Sequence, residues 1–142
     1  MSASWSSVSE QPPMTVAQLL HAARATLRRL TPVEAHAAQR LGAALVDIRS
    51  DSQRDRDGIV PGACHVPRNV LEWRCDPSSP SRDPELASRA LALIVMCDEG
   101  YQSSLAAATL QQFGLRRATD LIGGFQAWRA AGLPVTPADH VA

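Results

Sequence analysis

Cys97 ends the apolar run "LALIVM" and opens "CDEGYQSSLAAATL", residues 97–110. A thiol at that junction sits where a strand hands over to a helix. In an open parallel sheet, ligands bind beyond the carboxyl ends of the strands, where loops feed helix N-termini. Such a loop can curl so that successive backbone N–H groups point inward, with Gly100 supplying a conformation that side chains forbid. The free N–H groups and dipole of a helix start favour negative charge, and a thiol beside them is favoured as the nucleophilic thiolate. Cys97 is therefore the candidate nucleophile. Asp98 and Glu99 oppose a thiolate if they face it, so both are expected to point to solvent. Cys64 and Cys75 lead into no glycine loop and helix, and read as small buried hydrophobes.

The elements that must position Cys97 follow from periodicity and caps. Thr15 with Gln18 makes a capping-box pattern, and Val16, Leu19, Leu20, Ala23 and Leu27 follow at helical spacing. Thr31-Pro32-Val33-Glu34 is a stronger helix start, and Gly42 a plausible stop. "AALVDI", residues 43–48, has strand length. The charged stretch from Arg49 to Pro61 reads as a surface loop, and "PGACHVP", 61–67, as a short extended piece between prolines. "DPSSPSRDP", 76–84, is turn-rich and expected to be mobile, with Asp83-Pro84 able to start a helix over about 84–89. "LALIVM", 91–96, suits a strand buried on both faces. Leu105, Ala106, Thr109, Leu110 and Phe113 mark a helix face that Gly114 ends. "ATDLI", 118–122, is the last strand candidate, and "GGFQAWRAAG", 123–132, a final helix. Helices alternating with short apolar strands imply an α/β domain on a parallel sheet.

The 142 residues are enough for one domain with a real core. With 14 basic and 14 acidic residues, nothing argues for nucleic acid or an anionic membrane as partner. No apolar stretch is long enough to span a bilayer. "MSASWSSVSEQPP" has no basic segment followed by an apolar one, so it reads as a flexible tail and not a secretory signal. Three cysteines form no CxxC pair and no zinc spacing, which predicts no metal site and suits a reducing cytosol. The expectation is a cytoplasmic protein with a tail over 1–14, a packed helix over 15–30 and a domain over 31–137.

Four segments together resemble the rhodanese-like sulfurtransferase family. "CDEGYQSS" is similar to its C-x-x-G-x-R-S active loop, and "VDIR", 46–49, to its D-x-R strand end. "GIVPGACHVP", 58–67, and "GGFQAWRAAGLPV", 123–135, match two further signatures, in the family's order. The resemblance implies a five-stranded parallel sheet flanked by helices. It implies that Cys97 takes sulfur from a donor such as thiosulfate, mercaptopyruvate or a persulfide. The Cys97 persulfide then passes it to cyanide, a small thiol or a protein thiol, with no cofactor. The loop residues Asp98, Glu99, Gly100, Tyr101, Gln102 and Ser103 would bind the substrate.

Gln102 stands where the family's loop carries arginine, so a fixed cation is missing; glutamine donates hydrogen bonds but cannot neutralise a dianion. Arg49 and Arg74 are the candidate replacements. Arg49 lies on the same side of the sheet as Cys97, and Arg74 follows a segment able to fold over the mouth. A surface salt bridge is the plainer role for each. Asp47 either organises the site by accepting from loop amides or Arg49, or closes a strand end. Trp73 is a lid or packing residue, Trp128 a core residue, and His65 is not expected to act as a base. A cysteine phosphatase needs the arginine of C-x5-R, but the residues five and six past Cys97 are Gln102 and Ser103. The other rival is a non-catalytic binding or redox-sensing module on the same scaffold.

Overall fold

A computed structural model describes residues 12–138. Four strands form one parallel sheet in the order β2-β1-β3-β4: β1 Ala44–Asp47, β2 Cys64–His65, β3 Leu93–Met96 and β4 Thr119–Asp120. The resemblance implied five strands. At the fifth position Leu30 makes a single parallel bridge to Leu121, too short to count as a strand. Among the described residues, six α-helices flank the sheet: α1 Val16–Arg24, α2 Pro32–Arg40, α3 Asp51–Asp57, α4 Leu71–Cys75, α5 Gln102–Gln111 and α6 Gly124–Ala130.

Period-two alternation divides the strands between two cores. Val46, Ile48, Leu93, Val95 and Cys97 face one layer with Ala106, Ala107 and Leu110 of α5. Leu45, Ile94 and Met96 face the other, with Ala35 of α2 and Phe125 and Trp128 of α6. Each fully buried leucine or isoleucine contributes about 1.5–3 kcal/mol relative to exposure. Because β3 is buried throughout, its carboxyl end is held firmly, and Cys97 is the next residue.

Helix starts follow the caps. Thr15 and Thr31 each close a capping box, with Gln18 and Glu34 respectively. The stretch after Arg49 is not an open loop. Ser50 and Gln53 form a third capping box and start α3, which Gly58 ends at φ +93°. The expected helix over 84–89 is absent. Leu86 and Ala87 both donate to the Asp83 carbonyl, but Ser88 Oγ then accepts from Ala90 N and diverts the chain towards β3. The turns of 76–84 are tied down by Ser78 N to Asp76 Oδ1 and Ser81 N to the Ser79 hydroxyl. Along α5 the buried residues are Ser103, Ser104, Ala106, Ala107 and Leu110, so the two serines join the inward face. Val16 and Leu19 of α1 remain exposed; Ala23 is its buried contact. The tail expected over 1–14 lies outside the described residues except for 12–14, which are exposed.

Candidate active site

Cys97 is 8% exposed and lies in an open pocket of about 240 Å³. Ile48, Arg49, Gln53, Asp98, Glu99, Tyr101 and Gln102 form the rest of its wall. Two backbone N–H groups donate to Cys97 Sγ: Gly100 at 3.1 Å and Ser103 at 3.3 Å. The loop is turned so that amides face the sulfur and carbonyls face outward. Phe125 N donates to the Cys97 carbonyl at 2.9 Å and Gln126 N to the Asp98 carbonyl at 3.1 Å, both from the first turn of α6. Arg24 Nη2 and Arg29 Nη2 donate to the Gly100 carbonyl at 2.8 and 3.1 Å. Outward carbonyls with partners and inward amides aimed at one sulfur make an anion cradle.

Glycines allow this packing. Gly100 has φ +87°, and a Cβ there would meet Gly123 N at 2.7 Å. Gly124, at φ +62°, passes so close to the loop that a Cβ would lie 2.5 Å from the Cys97 carbonyl oxygen.

The predicted residues separate into two groups. Arg49 borders the pocket but is committed: Nε and Nη2 pair with the two carboxylate oxygens of Asp47 at 3.1 and 2.9 Å. Nη2 also donates to the Gly58 carbonyl, and the guanidinium stacks 3.7 Å from the Phe125 ring centroid. Its Nη1 is buried and has no partner among the described residues. Asp47 also accepts from Arg49 N and lies 3.3 Å from Arg54 Nε, so two cations surround one buried carboxylate. Arg74 is not in the pocket wall; its Nη1 donates to the Ser81 carbonyl. Glu99 is exposed, as expected, but Asp98 is half-buried and accepts from Gln126 Nε2 at 2.9 Å. Tyr101 and Gln102 are exposed at the mouth, and Trp73 is exposed on α4. His65 is held between Arg54 and the Arg49 carbonyl and is not in the pocket wall.

The surroundings of the other two thiols oppose a thiolate. Cys75 is fully buried, and its pKa is pushed up to about 12, first by burial and then by nearby Asp83 and Glu72. Burial also raises Cys64, with Asp83 and Glu85 adding to the effect. Both are favoured as neutral thiols.

Several residues at the site went unnoticed in the sequence. Asp120, fully buried at the end of β4, accepts from Ser103 Oγ at 2.8 Å and Ser104 Oγ at 2.7 Å. Arg29 pairs with it through both carboxylate oxygens. Gln126 bridges Asp57 and Asp98. Gln53 enters the wall because α3 forms. Its S-x-x-Q cap was a legible signal; the arginine contacts had none.

A strand-end cysteine in an amide cradle, on a parallel α/β sheet, defines the class. The family is the rhodanese-like domain, whose model matches residues 31–131, and the chain belongs to it. A thiosulfate sulfurtransferase GlpE of Stutzerimonas stutzeri is 33% identical over 105 residues, covering 72% of this chain and 84% of that one. A GlpE of Haemophilus influenzae strain 86-028NP is 32% identical over 111 residues, covering 78% and 95%. A solved Rhodopseudomonas palustris structure superposes with TM-score 0.79 at 33% identity, covering 89% of this chain and 100% of that one. That protein is described as of unknown function and a possible tyrosine phosphatase. Membership and these relatives make the chain a rhodanese-like sulfurtransferase. Among the described residues, no helix is long and apolar enough to cross a membrane.

Proposed function

We propose that Cys97 carries the transferred sulfur, and that thiol-borne persulfides or mercaptopyruvate serve better as donors than thiosulfate. The observation that supports the first part is the pair of amides on Cys97 Sγ. They stabilise negative charge on the thiolate before reaction and on the persulfide after it. The thiolate attacks the outer sulfur of the donor and forms a new S–S bond. The donor's bond to that sulfur breaks with its electron pair, releasing sulfite from thiosulfate or a thiolate from a persulfide. With mercaptopyruvate the departing carbon takes up a proton to give pyruvate. An acceptor thiolate or cyanide then attacks the terminal sulfur, and Cys97 leaves as thiolate. Electrons balance without a redox partner, and no step needs a side-chain base.

The second part rests on charge. Thiosulfate brings two negative charges to a pocket edged by Asp98 and Glu99. The loop has Gln102 in place of a cation, and the Arg49 charge is largely met by Asp47. The unpartnered Arg49 Nη1 supports a role for that residue in holding the donor's polar end. Arg74, outside the pocket wall and bonded to the Ser81 carbonyl, is the weaker candidate for holding substrate. A phosphoryl clamp is poorly served by the same pocket, for want of a free guanidinium.

Thiocyanate formation tests the assignment. Cys97→Ser should abolish it, while Cys64→Ser and Cys75→Ser keep most of it. A Cys97→Ser protein with full activity refutes the reading. Comparing kcat/KM for a thiol persulfide, mercaptopyruvate and thiosulfate tests the donor order, and a clear preference for thiosulfate overturns that part.

A further inference from the structure

The active loop is fastened from behind by residues that precede the matched family region. Arg24, the last residue of α1, donates through Nη2 to the Gly100 carbonyl at 2.8 Å and through Nε to Ser104 Oγ at 3.0 Å. Arg29 donates to the same carbonyl at 3.1 Å while its Nε holds buried Asp120 at 2.8 Å. The connecting segment is itself anchored to the sheet: Leu30 N donates to the Asp120 carbonyl, Ile122 N to the Leu30 carbonyl, and Thr119 Oγ1 to the Arg28 carbonyl. The family model begins at residue 31.

These contacts hold the peptide that lies between the two amides on the sulfur, those of Gly100 and Ser103. The Gly100 N–H already donates to Cys97 Sγ, and the Gly100 carbonyl belongs to the next peptide, shared with Tyr101. All peptides among the described residues are trans. Holding that carbonyl outward sets the Tyr101 N–H on the opposite side, and Tyr101 lines the Cys97 pocket. Two guanidinium donors on one carbonyl also polarise the peptide and strengthen its N–H as a donor. Asp120 does the matching work at the other end of the loop, fixing the hydroxyls of Ser103 and Ser104 so that Ser103 N meets the sulfur. Arg29 is neutralised by Asp120, whereas Arg24 has no carboxylate partner among the described residues. Its charge stands behind a loop that has lost its own arginine.

We propose that Arg24 and Arg29 are positioning residues for sulfur transfer, holding the Gly100 carbonyl so that the loop amides address Cys97. The segment 15–30 is then a working part of the site. The proposal rests on the sulfurtransferase reading, so its test includes a readout independent of turnover.

Arg24 is the informative position. It is half-exposed, and its removal leaves no buried carboxylate bare, as loss of Arg29 would. The full chain is compared with Arg24→Ala and Arg24→Lys. Thiosulfate and cyanide measure kcat and KM, peptide mass measures the rate of Cys97 alkylation by iodoacetamide, and melting reports the fold. Arg24→Ala is expected to lower kcat about tenfold, with KM changed by less than about twofold, because the sulfur and not the donor loses stabilisation. Cys97 alkylation should slow in parallel, and Arg24→Lys should recover part of both. Unchanged kcat and alkylation in a folded Arg24→Ala protein overturns the proposal. So does a loss that follows the drop in melting temperature and is not recovered by lysine. If the wild type transfers no sulfur, the sulfurtransferase reading fails; slower alkylation in Arg24→Ala would still support the positioning role, and equal alkylation would sink it.

Discussion

At the scale of single residues, three cysteines share one chain but not one environment. Cys97 meets two N–H donors at a pocket floor, whereas Cys75 has burial and acidic neighbours against its thiolate. Cys75 should resist iodoacetamide at pH 8 in the native protein and react only on unfolding, which peptide mass after brief labelling checks. Its pKa is raised on folding from an ordinary value near 9.0 to about 12. Above about pH 9 the unfolded chain releases a proton that the folded chain keeps. The stability from neutral Cys75 is thus complete below pH 9 and lost as pH rises towards 12. Urea midpoints for wild type and Cys75→Ala should show a steeper alkaline decline in wild type; equal slopes would contradict the assignment. Gln102 is the other informative residue. Gln102→Arg should lower KM for thiosulfate about two- to fivefold, the worth of one exposed charge pair, and the gain should shrink with added salt. An unchanged KM at low salt in a folded mutant would count against the charge argument.

At the scale of elements, the site joins the starts of α3, α5 and α6, the carboxyl ends of β1, β3 and β4, and the segment before α2. The α6 start supplies the amides that hold the Cys97 and Asp98 carbonyls, and it fits only because Gly124 has no Cβ. Gly124→Ala should therefore cost activity and stability together, by about 1–3 kcal/mol for the left-handed backbone alone, with further loss from the close contact. Wild-type melting and turnover in that variant would contradict the packing account. Beneath the pocket, Asp47 and Arg49 form a buried pair. Removing Arg49 leaves buried Asp47 with the partly exposed Arg54 at 3.3 Å as its remaining cation. Arg49→Ala should therefore destabilise by less than the full cost of an unpaired buried charge, at most about 3–5 kcal/mol, read in urea. Much of this architecture was legible beforehand. The run 91–96 declared a two-face-buried strand, and Gly100 marked the loop after Cys97. The D-x-R pattern placed Asp47 and Arg49 beside it. Helix α3 was obscured by its polarity, because no residue of it is buried and hydrophobic periodicity had nothing to report. The reverse error at 84–89 came from a valid start signal whose continuation Ser88 stopped.

At the scale of the whole molecule, the two cores fix the sheet and the N-terminal segment completes the loop. Trp128 shows the first dependence: fully buried, stacked edge-on against His36, and donating through Nε1 to the Pro134 carbonyl at 2.9 Å. Its burial agrees with the core role read from the sequence. The second dependence was not readable. Arg24 and Arg29 meet Gly100, Ser104 and Asp120 across separations of 71 to 91 residues, and no local pattern in "AARATLRRL" announces such partners. Local chemistry could place the nucleophile, but only the folded chain brings together the groups that hold its loop.

The central claim is that Cys97 itself holds the sulfur in transit, and the mass of the protein after exposure to donor tests it most directly. Wild-type protein incubated with a thiol persulfide or mercaptopyruvate, freed of donor and digested without reductant, should carry one added sulfur on the peptide containing Cys97. Cyanide should remove that mass and release an equal amount of thiocyanate. A donor-treated protein whose added sulfur lies on Cys64 or Cys75, or one that forms thiocyanate while Cys97 stays unmodified throughout turnover, would contradict the account.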